Sequence, residues 1–75
     1  MAGEVRKRSV IIAGHATSVS VEAEFWEALR TIAERRGLSL NALIAEIDAG
    51  RSGNLSSAIR IHVLRTLQAS ASSDG

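Results

Sequence analysis

Cysteine is absent from this 75-residue chain, so neither a disulfide framework nor a thiolate metal site can hold it together. Aromatic residues are almost absent too: Phe25 and Trp26 are the whole supply, against an apolar content of 45%. No apolar run approaches the ~20 residues that span a bilayer. The first residues are charged and lack the apolar stretch and small-residue cleavage site of a secretory signal. These absences predict a cytoplasmic chain with no membrane partner. Histidine is scarce: His15 and His62 lie far apart, without the spacing of zinc ligands, so no metal and no cofactor is expected. The chain has no nucleophile elbow, and Gly14, Gly50 and Gly53 are too scattered to cradle a nucleotide. Glu22 and Glu24 fall at a helix start, where acids answer to the helix dipole. An enzyme is not expected.

What is present is aliphatic. A core of Leu, Ile, Val and Ala in one domain of this length sits near the limit at which a single chain buries enough surface. Self-association as a homodimer would supply the missing burial. The formal charge is only +1. Its distribution is uneven: Glu4, Arg6, Lys7 and Arg8 leave the first eight residues at +2, while residues 22–36, with four acids and three bases, stand at −1. Residues 1–8 therefore read as a flexible basic arm, which could equally be a solvated tail.

The apolar pattern changes period twice. Ser9-Val10-Ile11-Ile12-Ala13 is rich in β-branched residues, and Gly14 marks a bend or turn. In Thr17-Ser18-Val19-Ser20-Val21 the valines point one way and the serines the other, the alternation of a strand with one buried face. Such a strand needs a partner; residues 9–13 can supply it as a local hairpin, or a second subunit can. From Glu22 the spacing becomes helical: Phe25, Leu29, Ile32 and Ala33 form a stripe flanked by Trp26. Gly37 fits the left-handed position that closes a helix, and Ser39 is a good N-cap for the next. Leu40, Leu43, Ile44 and Ile47 give that second helix its apolar face, and Gly50, Ser52 and Gly53 break it. A third helix starts near Asn54 or Ser56. It carries Leu55, Ala58, Ile59, His62, Val63 and Leu67 on one broad stripe, widened by Ile61 and Leu64. Residues 9–68 thus form the domain, and 69–75 read as a disordered tail.

The order strand, helix, Gly37-Leu38-Ser39 turn, helix resembles the ribbon-helix-helix family of bacterial DNA-binding proteins, the Arc/MetJ type, over residues 16–49. From Arg8 to Leu67 the chain is similar to a subgroup of short members with an additional C-terminal helix. The stretches Arg8-Ser9-Val10, Ala13-Gly14-His15, Glu24-Phe25-Trp26 and Asn54-Leu55-Ser56-Ser57-Ala58 carry that closer likeness.

The resemblance implies an α+β, mostly helical homodimer, with an intermolecular antiparallel β-ribbon over two core helices and a third helix per chain. It implies a transcription regulator whose ribbon enters the major groove of double-stranded DNA. Ala16, Ser18 and Ser20 would face the bases. Leu38, Ser39, Leu40 and Asn41 at the second helix's N-terminus would hold a phosphate, joined by Arg6, Lys7 and Arg8. Val19, Val21, Phe25, Leu29, Leu40, Ile44 and Ile47 would form the dimer core.

Bland readings stand beside these. Ser18 and Ser20 can be no more than the solvent face of an amphipathic strand. His15 in a turn is most simply solvated, although it could meet a phosphate. His62 on the apolar stripe reads as a packed core or interface residue, and Trp26 as core. A rival function follows from the short side chains of the ribbon and from the third helix: a dimeric scaffold, antitoxin-like, whose residues 54–67 dock a protein partner or build a higher oligomer.

Overall fold

The computed structural model describes residues 4–51 and 53–73. The ends of the expected arm and tail, residues 1–3 and 74–75, and the breaker Ser52 lie outside the described residues. Two antiparallel strands, β1 (Val5–Ile12) and β2 (His15–Glu22), precede three helices: α1 (Ala23–Arg36), α2 (Leu40–Gly50) and α3 (Leu55–Ser73). This is the expected α+β architecture, a ribbon followed by helices.

Within one chain the ribbon is a hairpin, so the local partner expected of residues 9–13 is supplied by β1. β2 pairs with β1 from Ile12 opposite His15 to Val5 opposite Glu22. The cause lies in the two residues between the strands. Ala13 and Gly14 both have positive φ, 52° and 81°, as in the two-residue turn whose twist matches that of the strands it joins. Glycine takes this conformation freely, whereas Ala13 takes it at a steric cost of about 1–2 kcal/mol.

The arm expectation is corrected for the same reason. Arg6, Lys7 and Arg8 belong to β1, because the alternation that pairs Val10 with Thr17 continues toward the N-terminus. At the other end α3 continues through residues 69–73, expected in a disordered tail. Ala, Ser and Gln allow that extension, with no glycine or proline to stop it before Ser73.

Helix ends follow local chemistry. α1 closes at Gly37 (φ 69°), with Leu38 N–H donating to Ala33 O at 2.9 Å. The Ser39 hydroxyl caps α2 by accepting from Ala42 N–H at 3.0 Å. Asn54, rather than Ser56, caps α3 through its side-chain oxygen, which accepts from Ser57 N–H at 3.1 Å.

One core closes between the ribbon and the helices. Val19, Val21, Leu29, Leu43, Ile44 and Ile59 are under 2% exposed within a single chain. Val10, Trp26, Ile32, Ala33, Ile47 and Val63 complete it. Two positions depart from the expected core: Phe25 and Leu40 are only half-buried and pack at its margin, while Trp26 and Leu43 lie inside.

Candidate nucleic-acid interface

A hairpin has two faces, and the pairing register assigns every side chain to one of them. Arg6, Arg8 and Val10 lie with Val21, Val19 and Thr17 on the face turned toward the helices. The outer face carries Lys7 opposite Ser20, Ser9 opposite Ser18, and Ile11 opposite Ala16. All six of these outer residues are exposed.

The three expected base-facing residues, Ala16, Ser18 and Ser20, therefore share one exposed face. Lys7 joins them, as does Ser9, which the sequence reading did not select. Period-2 alternation carried through residues 5–12 would have found Ser9. Arg6 and Arg8, expected on phosphates, take the other face. The Arg8 guanidinium lies over the Trp26 ring, 4.8 Å from its centroid, and its Nε is buried with no hydrogen-bond partner among the described residues. Arg6 Nε donates to Glu4 Oε1 at 3.1 Å in an exposed ion pair. Consecutive cations in a strand cannot share a face, so the run Arg6-Lys7-Arg8 divides.

At the start of α2 the expected anion site is narrower than the sequence suggested. Leu38 N–H is committed to Ala33 O, and the Ser39 hydroxyl to Ala42 N–H. Leu40 and Asn41 stand in the first turn, where helix geometry leaves N–H groups without an intrahelical acceptor. No acid sits in that turn, so the positive end of the helix dipole is not neutralised locally.

α3 braces the ribbon from the side. Ser20 N–H donates to Ser56 Oγ at 3.0 Å. Arg60 donates from Nη2 to Ser20 O at 3.3 Å and from Nε to Glu22 Oε1 at 2.8 Å. Its guanidinium sits 6.0 Å from the centroid of Phe25. The Arg60 hydrogen bond holds the Glu22 carboxyl below the ordinary glutamate range. Sequence reading missed this brace: Ser56 and Arg60 stand one turn apart on α3, but nothing in their spacing names a partner 36 to 40 residues away. A second ion pair joins the first two helices, Arg36 to Glu46 at 2.5 and 3.0 Å, and likewise lowers the Glu46 pKa.

His15 is exposed at the start of β2, opposite Ile12. His62 is half-buried, and its Nε2 has no hydrogen-bond partner among the described residues. No group of three or more His, Cys, Asp or Glu side chains among the described residues is placed to hold a metal ion. No described helix is long and apolar enough to cross a membrane.

Residues 5–67 match the family model of the ribbon-helix-helix domain. Among solved structures, the chain is similar to an uncharacterized protein from Bordetella pertussis Tohama I. The two share 33% identity with a TM-score of 0.80, over 93% of this chain and 61% of that one. This chain therefore spans less than two thirds of that protein's length. None of the curated proteins compared matches it.

Proposed function

The chain belongs to the ribbon-helix-helix family, and on that premise we propose that it is a DNA-binding transcription regulator acting as a homodimer. Members of this family are generally DNA-binding regulators that dimerise. The observation that carries the reading here is the outer face of the ribbon. Lys7, Ser9, Ser18 and Ser20 form two adjacent cross-strand pairs, exposed together on a sheet only two strands wide. Strands lie about 4.8 Å apart, so such a ribbon fits a major groove about 12 Å wide.

Each hairpin then enters the groove as a closed unit. Lys7 meets a phosphate or a guanine edge, while the serine hydroxyls donate to or accept from several bases. Short hydroxyl side chains discriminate weakly, so backbone contacts carry most of the affinity. The N–H groups of Leu40 and Asn41 at the start of α2 supply one phosphate contact. Two copies in a dimer would place these elements on two half-sites.

The test is fluorescence anisotropy with mixed-sequence duplex DNA at low and near-physiological salt. Binding that weakens steeply with salt supports the reading and justifies a search for an operator. A folded protein that fails to bind even at low salt overturns it.

One observation favours the scaffold reading. Ile61, Leu64 and Leu67 on α3 are 47%, 52% and 54% exposed, and a groove of about 310 Å³ between α1 and α3 is lined by Ala28, Ile32, Thr66 and Leu67. Truncating α3 would not separate the two readings, because Ile59 and Val63 belong to the core. Replacing Ile61 and Leu64 with Gln would. Unchanged DNA binding with loss of self-association assigns this face to the dimer, whereas no change in either leaves it to another protein.

A further inference from the structure

Two grooves flank His62, and their linings differ in chemistry. One, of about 320 Å³ between α2 and α3, is bordered by Glu46, Arg51 and Arg65. The other, of about 310 Å³ between α1 and α3, is lined by Ala28, Ile32 and Leu67 among others, and no carboxylate is among its lining residues. Its α1 wall runs from Ala28 to Arg36, roughly two turns or about 12 Å. That wall is apolar at Ala28 and Ile32 and cationic at Arg35 and Arg36, in the last turn of the helix. A ligand that matches it is an extended hydrocarbon with one polar end.

The polar groups of this groove decide the charge of that end. Thr31 Oγ1 donates to Glu27 O at 3.1 Å and Thr66 Oγ1 to His62 O at 2.8 Å, so both hydroxyl protons are committed within their own helices. Arg36 is held by Glu46. Arg35 is exposed and forms no ion pair among the described residues. A guanidinium only donates, and its planar fork suits a carboxylate. His62 Nε2 is buried with no hydrogen-bond partner among the described residues, and an unmet buried nitrogen is costly. What the groove lacks is therefore an anionic acceptor.

We propose that the groove between α1 and α3 binds a medium-chain carboxylate. Its hydrocarbon lies on Ala28, Ile32 and Leu67, and its carboxylate accepts from Arg35 and from His62 Nε2. The neighbouring groove is the poorer site for such a ligand, because the Glu46 carboxylate stands at its border and opposes an anion. The inference concerns α1 and α3 alone and stands whether or not the ribbon binds DNA.

The probe is octanoate, kept below the concentration at which it aggregates and followed by NMR of the full chain. Saturable shifts should fall on Ile32, Thr66 and Leu67. Octanol keeps the chain without the charge and acetate the charge without the chain; each should bind about tenfold more weakly, or less. Arg35 is exposed, so Arg35→Gln keeps the fold; it should weaken octanoate about tenfold and leave octanol unchanged. Bound octanoate should also move the ring titration of His62 to higher pH, while His15, at the far end of the ribbon, titrates as before. Equal affinity for octanoate and octanol, an unmoved His62 titration, or unchanged binding in Arg35→Gln overturns the proposal. So does a groove that takes no octanoate, and a dimer that Leu67→Gln splits would then assign the groove to a second copy of the chain.

Discussion

The inner and outer faces of the ribbon are built from alternate residues of the same two strands, yet they obey different rules. On the inner face Val19 and Val21 are 1% and 0% exposed, and even Arg8 is drawn in over Trp26. On the outer face Ser18, Ser20, Lys7 and Ser9 turn their side chains to solvent at the same strand positions, one residue along. Packing fixes the first set, since each buried side chain must match its neighbours. Nothing in the fold constrains the second, and that freedom is what allows the outer face to be specified by a ligand.

The sharpest way to break this comparison is to place one charge on each face. Val19→Asp buries a carboxylate without a partner, at a cost on the order of 4 kcal/mol. Total stability for such a domain is about 5–15 kcal/mol, so circular dichroism should show a chain largely or wholly unfolded on mild warming. Ser18→Asp, one residue away, should stay within about 0.5 kcal/mol of the natural chain while weakening DNA binding through repulsion of phosphate. Equal destabilisation by the two would mean that the faces are wrongly assigned.

The turn comes next in size. Gly14→Val places a β-branched side chain at a φ of 81° and should cost about 1–2 kcal/mol, read as a lower midpoint in urea. Ala13→Gly should move the midpoint the other way by up to about 1 kcal/mol, because the strained residue is relieved.

Neighbouring cations refine the comparison further. Arg8→Ala removes the stacking on Trp26 and should lower stability by about 1 kcal/mol. Lys7→Ala should leave the melting temperature unchanged and flatten the salt dependence of DNA binding by about one unit of slope. The reverse pattern would exchange their roles.

The smallest effect is an acid-side loss of stability. Glu22 and Glu46 are both held below their ordinary value of 4.5 by arginine hydrogen bonds. A lowered folded pKa means that the stabilisation is present above the ordinary value and disappears as pH falls through the folded one. Melting temperature should therefore decline below about pH 4.5, and less steeply in Glu46→Gln. Parallel declines in the two proteins would show that the Arg36–Glu46 pair contributes nothing.

Local chemistry made much of the fold legible. The valine–serine alternation of β2, the helical stripe from Leu29 to Ala33, the Gly37 closure and the Ser39 cap each depend on residues within a few positions. Phe25 shows the limit. Phe25 fits the apolar period better, yet Trp26 is the buried one, because the first turn of α1 is oriented by the ribbon beneath it. The basic run was legible as charge but not as a site, since its division between two faces depends on β1 being a strand at all.

By itself the sequence determined the strand–helix–helix–helix order, the valines that face inward and the family to which the chain belongs, because periodicity, caps and turn residues act locally. Only the tertiary structure decided that β1 of the same chain pairs with β2, that Arg8 packs inward while Lys7 stays out, and that Ser56 and Arg60 bond to the backbone of Ser20. Those outcomes depend on contacts between residues far apart in sequence, and the energy of such a contact is invisible until the chain has folded to bring its partners together.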